Sequence, residues 1–535
     1  MKQSQNSKSI SRRGFIENLA TTSVIFSLGT QSLTVAELDQ GKEAGVTVKQ
    51  DQHINRALFD KLDKSINNGD GYKTGLGGIL AWGESYIMLS YVQMYRATGD
   101  TYYLDKLVDH AEHVLAQRDD RRGFRDYSDR SRPAWSVGDK YTVAELILKD
   151  TQGKNVLKFR STKYAYNNST KIRVEKQPEK GHFSLFVEND FWKIKESYKN
   201  LVLDPTSADF VERRVNALKW VAQERDVQAG NEGSELLTVE LLDPAADIPV
   251  TEGSLNLVPL VMAYHGYSGQ CTYPMLEFAW LVRNNRKLHN KYAQQADSFV
   301  KAAEEVFQDA QSEWRDGPQP GEGYYVFGRR GCPFWSDNVG KPFNYLCGEA
   351  RSLVRLAQMT GEELWQEQTQ AIARLFKRHL RIAENGSYVW NYWWGVIEKG
   401  WDRNNSPSYN TPTYAGYKTV EDTSHGALEI EFAILCAQAG WVFADDDMQR
   451  FIKTFLENVV DKTKWTMNDR VDGRSGWGRH DAQAGRWADL AQWDPRVATA
   501  VRNIYEKQKI YEQLSGSVLL GVAQVLKWTD ALQKN

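Results

Sequence analysis

The residues best suited to chemistry gather between Tyr388 and Glu431. Tyr388, Trp390, Tyr392, Trp393 and Trp394 come first, then Arg403, Tyr409 and Tyr414, and the stretch closes on Glu421, Asp422 and His425 ahead of the apolar run Ala427 to Leu435. Aromatic faces stack on sugar rings. A guanidinium, a phenol, an imidazole and carboxylates manage charge and protons. The combination points to carbohydrate chemistry.

Three further places supply candidates. Tyr264, His265 and Tyr267 lie together with Tyr273 close behind, and Trp335, Asp337, Asn344, Tyr345, Glu349 and Arg351 fall within twenty residues or so of one another. Trp401, Asp402 and Arg403 lead to Tyr409. Each group occupies a loop or a helix start. None is a specific motif alone, and each residue has a plainer role open to it. His425 can cap a helix or pair with Glu421, and Tyr409 can serve as a stacking platform. Glu349 can pair with Arg351 or Arg355, Arg403 can be a surface charge, and His265 a structural histidine. His110 and His113 stand three apart on a helix but lack a third ligand, so no metal site is assigned.

The elements that must hold these residues read as paired helices. Apolar positions recur at helical spacing over 79–97 and 102–117, separated by Thr98-Gly99-Asp100. The same punctuation recurs at Thr360-Gly361-Glu362, between helices at 345–359 and 363–380, and at Ala439-Gly440, between 427–438 and 446–460. Further pairs lie at 274–283 with 291–310 and 495–508 with 512–532. No fixed period links them, so a solenoid is disfavoured. The expected fold is mainly α: an (α/α) toroid of antiparallel hairpins, whose loops build one rim. From about 141 to 199 the chain reads instead as strands between Gly, Asn and Pro turns, a β-rich insertion at that rim.

Ser11-Arg12-Arg13-Gly14-Phe15-Ile16, a mild apolar stretch from Leu19 to Val35 and then Ala36 have the order of a twin-arginine export signal. The expected organisation is a signal over 1–36 and one catalytic domain over 37–535, periplasmic or secreted, with no membrane insertion after signal removal. Lys and Arg total 67 against 69 for Asp and Glu, which favours neither nucleic acid nor an anionic membrane. The four cysteines, Cys271, Cys332, Cys347 and Cys436, show no metal spacing; buried thiols are expected in preference to a Cys332–Cys347 disulfide.

The hairpins, the Arg403–Tyr409 pair, Glu349 upstream and His425 downstream resemble the α/α-toroid polysaccharide lyases that act on uronate polymers, in particular the family 38 glucuronan and alginate lyases. The resemblance implies β-elimination on an acidic polysaccharide without a catalytic cofactor. It makes Tyr409 the base and acid, with His425 as the competing base. Arg403, Asn344, His425 and a protonated Glu349 would neutralise the substrate carboxylate. His265, Tyr264, Trp335, Trp393, Tyr414 and Glu421 are the expected substrate contacts. Three other functions use the same residues. A glycoside hydrolase would draw a carboxyl pair from Asp337, Glu349, Glu421 and Asp422. A uronate C5-epimerase would return the proton, and a sugar-binding protein would use the aromatics alone.

Overall fold

The computed structural model describes residues 54–534 apart from 73, 217–232, 477 and 479. The export signal expected over 1–36 lies outside the described residues. The chain is mainly α with β parts, and no described helix is long and apolar enough to cross a membrane.

The longer helices are α1 (Arg56–Ser65), α2 (Ser85–Thr98), α3 (Tyr102–Ala116), α4 (His265–Arg283), α5 (Arg286–Ala310), α6 (Phe343–Thr360), α7 (Glu363–His379), α8 (Thr423–Gln438), α9 (Asp445–Lys453), α10 (Arg496–Lys507) and α11 (Gly516–Lys534), with a 3₁₀ run at Asp481–Gln492. Glycine ends the hairpin-forming helices because the chain must turn through the left-handed region there. Gly99 and Gly361 have φ of 73° and 72°, and their N–H groups close the last turns on Tyr95 and Ala357.

Burial sorts the helices into two kinds. In α6 every residue from Phe343 to Ala357 is buried, and in α8 every residue from Thr423 to Cys436. By contrast α5 and α7 bury only a stripe, as helices facing water on one side must. The fully buried kind pack in sequence: α2 on α4, α4 on α6, α6 on α8, α8 on the 481–492 run, that run on α11, and α11 back on α2. The striped helices lie outside them, α3 against α2, α5 against α4 and α7 against α6.

The inner helices run parallel. Along α4 and α6, Thr272 Oγ1 meets Ser352 Oγ at 3.0 Å, and further on Arg355 Nε reaches Glu277 Oε1 at 2.6 Å. Between α6 and α8, Arg351 pairs with Glu431. The approach of α4 to α6 needs glycine: a Cβ on Gly269 would stand 2.7 Å from the Glu349 Cα. The N-termini of α4, α6 and α8 therefore share one end of the molecule.

Apart from four two-stranded pairs, the described β parts form two four-stranded antiparallel sheets. With β1 (Ala144–Lys149), β2 (Asn155–Ser161), β3 (Thr170–Lys176), β4 (Phe183–Asn189), β5 (Ile194–Leu201), β6 (Leu237–Leu241), β7 (Leu255–Asn256) and β8 (Val258–Pro259), the orders are β6-β2-β1-β8 and β5-β4-β3-β7. Leu157, Phe159, Ile172, Val174, Leu185 and Val187 belong to a core of their own, separate from that of the helices. The expected strands end at 199, whereas the sheets are completed by β6 to β8 from 237–259; Leu237-Thr238-Val239-Glu240-Leu241 alternates as a strand should, while β7 and β8 are two residues each and too short to show a period. The β unit rests on the loop before α6, through Val143 N–H to Pro333 O at 2.7 Å and the Tyr164 and Trp335 rings 5.8 Å apart.

Candidate functional site

Three sequence-predicted residues stand at helix starts on this shared end of the molecule. His265 is the first residue of α4, Asn344 the second of α6 and His425 the third of α8. Backbone N–H groups at such ends have no helical partner, so the region favours negative charge.

His425 is held by its own helix start. Asp422 caps α8: Oδ1 accepts the backbone N–H groups of Ser424 and His425, both at 2.9 Å, and Oδ2 lies 2.5 Å from His425 Nδ1. Burial works against the Asp422 carboxylate, but His425, His480 and the backbone donors hold its pKa well below the usual carboxylate range. Burial likewise disfavours the His425 imidazolium, and Asp422 outweighs it, so the His425 pKa is raised. This leaves Nε2 on the far side of the ring from Asp422. The Tyr392 ring stands 5.5 Å from the imidazole, and the Asn344 amide sits by the Tyr392 hydroxyl. Burial pushes the Tyr392 phenol well above its ordinary value. His425, Tyr392 and Trp393 keep only 7–8% exposure, so the group is largely shielded from solvent.

Beneath the Asp422–His425 pair lies a second acid pair. Glu421 Oε1 accepts the Asp422 N–H at 2.8 Å, and Glu429 accepts the Trp390 indole N–H. Their other oxygens, Glu421 Oε2 and Glu429 Oε1, have no conventional donor. Burial, then the neighbouring Glu429 and Asp422, drive Glu421 well above the carboxylate range; burial, helped by Asp422 and opposed by the bonds to Glu421 and Trp390, brings Glu429 to about 8. Two facing acceptors with raised pKa values share a proton. Ligand atoms of Glu421, Asp422 and His425 also come within 4.8 Å of one another, as a cation would require. Asp422 and His425 nevertheless spend those atoms on each other, which suits proton handling better.

His265 plays a different part from the expected sugar contact. Its Nδ1 lies 2.8 Å from Glu313 and its Nε2 2.9 Å from Asp309. Burial alone would lower its pKa, but Glu313 and Asp309 lift it to about 9. With both nitrogens engaged, His265 is the hub of an ion-pair chain. Arg132 binds Asp309 at 2.9 Å, and Lys341 joins Glu313 at 3.4 Å to Glu349 at 2.8 Å. Glu349 is fully buried, and burial raises its carboxyl pKa against the pull of Lys341.

Arg403 and Tyr409 are not brought to this group. Arg403 is exposed in a turn, and Tyr409 is 62% exposed. The physical reason is Asp337, a buried anchor that holds this loop by its backbone. It accepts N–H groups from Gly331 at 2.6 Å, Asn410 at 3.0 Å and Tyr409 at 3.1 Å, and the Ser408 hydroxyl at 2.5 Å. The Tyr409 side chain is left outside. Trp335 and Tyr414 pair at 5.9 Å beneath the β unit, Trp393 stands 4.9 Å from Tyr392, and Tyr264 packs 5.6 Å from Tyr345.

Sequence reading passed over Lys341, Glu313, Glu429 and Arg486. Glu429 and Glu431 did leave a signal: two carboxylates inside an otherwise apolar helical run have to find buried partners. All four cysteines are buried and unpaired.

No family model matches the chain, and no curated protein matches it. Among solved structures, a family 76 glycoside hydrolase from a bovine Bacteroides thetaiotaomicron strain is similar at 9% identity and a TM-score of 0.32, over 71% of this chain and 84% of that one. A likeness of that size carries no argument.

Proposed function

We propose that the protein is an α/α-toroid enzyme that cleaves a uronate-containing polysaccharide by β-elimination. The observation that carries this reading is His425, oriented by Asp422, facing a protonated Tyr392 at the end of three parallel inner helices. In the proposed reaction His425 Nε2 takes the C5 proton of the uronate. The electron pair from that C–H bond forms the C4–C5 double bond as the bond to O4 breaks, and the Tyr392 hydroxyl delivers a proton to departing O4. The Asn344 amide, whose oxygen and nitrogen are otherwise unpartnered, faces the substrate carboxylate, so that charge developing there is tolerated. Of the two roles expected of Tyr409, Tyr392 takes the acid and His425 the base, and Trp393 supplies an apolar face beside them.

A glycoside hydrolase would need two carboxyls across the scissile bond, about 5–9.5 Å apart. Asp337 and Asp422 spend their oxygens on loop and helix ends, Glu349 is bound by Lys341 in the buried chain that leads to His265, and Glu421 and Glu429 share a proton across a direct contact. This favours elimination. Turnover of Tyr392→Phe on glucuronan or alginate tests the reading: near-normal elimination by that variant would refute the role given to Tyr392.

A further inference from the structure

Farther along the ring from His425, toward the helix C-termini, five inner elements send polar side chains into one layer. They are Tyr86 of α2, Gln270 of α4, Arg351 of α6, Glu431 of α8 and Arg486 of the 481–492 run. Arg351 pairs with Glu431, and its Nη2 donates to Gln270 Oε1 at 2.6 Å. The Arg486 guanidinium lies 4.8 Å from the centre of the Tyr86 ring, and Tyr86 senses Arg486, Arg351 and Glu431 together.

The charges of this layer do not balance. Arg351 and Arg486 face Glu431, which Arg351 already binds, and the next carboxylate, Asp489, is taken by Lys527, Trp528 and Gln524. Arg486 is only 3% exposed, its Nε and Nη2 have no hydrogen-bond partner, and no carboxylate is within ion-pair distance of it among the described residues. Gln270 Nε2 is unpartnered as well, because its oxygen serves Arg351. All three orphaned atoms are donors. An unpaired buried guanidinium is strongly destabilising, whereas its planar fork matches a small anion in shape and charge.

We infer that this axial layer binds a small monoanion, of the halide or carboxylate class, with Arg486 as its principal ligand. The anion comes either from solvent as a free ion or from the acid group of a uronate. Binding neutralises the layer and fills the donors that the protein leaves open.

The test is thermal unfolding of the full chain at constant ionic strength, set with a bulky sulfonate buffer salt. Sodium chloride, sodium glucuronate and neutral glucose are titrated separately. The wild type is expected to gain about 2–4 °C, saturably, with an anion and nothing with glucose. A rise with chloride identifies a free ion as the source. A rise with glucuronate alone identifies the substrate's acid group. Arg486→Met should lose the saturable shift and, without added anion, melt no lower than the wild type, since it deletes an unpaired charge. Arg486→Lys keeps the charge without the fork, and should bind about tenfold more weakly. Absence of a saturable shift in the wild type, or equal shifts in wild type and Arg486→Met, overturns the proposal. Melting needs no turnover, so failure of the elimination reading leaves this result unaffected, and the converse holds too.

Discussion

His425 Nδ1 lies 2.5 Å from Oδ2 of Asp422, the residue that also caps the helix on which His425 stands. One carboxylate thus fixes both the position of the imidazole and its affinity for a proton. Asp422→Asn separates the two roles, because asparagine remains a good cap. The cap survives but the buried charge pair is broken, so stability should fall by about 3–5 kcal/mol, while turnover on a uronate polymer falls on the order of 10²–10⁴-fold. The sign of the pH effect follows from the same contact. Asp422 raises the His425 pKa, so the wild-type base is freed only as pH rises past that raised value. In Asp422→Asn the acid limb of kcat/KM should move to lower pH; an unmoved limb would detach His425 from the base role.

Tyr392 and Tyr409 make a clean contrast. Tyr392→Phe keeps the ring and deletes the proton, and should lower turnover by on the order of 10²-fold or more. Tyr409→Phe and Arg403→Ala alter exposed side chains and should leave activity within about twofold and stability within about 0.5 kcal/mol. Steady-state kinetics and melting curves on the three variants check this.

The contrast also shows what the sequence could convey. Helical hairpins were legible because their ends carry local signals, such as Gly99 and Gly361 in left-handed turns. The start of α4 at His265 was not, since Pro274 sits inside the helix and burial on all sides erases the amphipathic period that would have marked the first turns. The site was half legible. His425, Asn344 and Glu349 sit at or near the starts of helices that the sequence outlined. Tyr409 follows Arg403 closely in the chain, but proximity in sequence says nothing about which side of a loop faces inward. That is decided by Asp337, far away in sequence, gripping the loop backbone. The partnership of Tyr392 with His425 is likewise a product of packing between separate segments.

His265 ties stability to pH. Its folded pKa of about 9 lies above the ordinary 6.5, so its contribution is complete below pH 6.5 and lost as pH rises through 9. His265→Gln should remove that part of the slope and destabilise by about 3–5 kcal/mol, because Asp309 and Glu313 lose a buried charged partner. Chemical denaturation at pH 6 and pH 9 measures both effects.

Glu429 acts in the same direction through a different group. Its carboxyl, at about 8 against an ordinary 4.5, holds a proton in the folded protein that the unfolded chain releases. Stability should therefore decline as pH rises from 4.5 to 8. Glu429→Gln supplies a permanent donor toward Glu421 and should flatten that part of the profile. Unfolding free energies across the same pH range are the readout, and an unchanged slope would contradict the shared proton.

The most direct measurement is product analysis after incubating the protein with glucuronan, alginate and glycosaminoglycans in turn. Elimination predicts ultraviolet absorbance from a new C4–C5 double bond, rising in step with chain cleavage on at least one polymer. New reducing ends without that absorbance would mean hydrolysis, and exchange of solvent deuterium into C5 without cleavage would mean epimerisation. Either result would contradict the account.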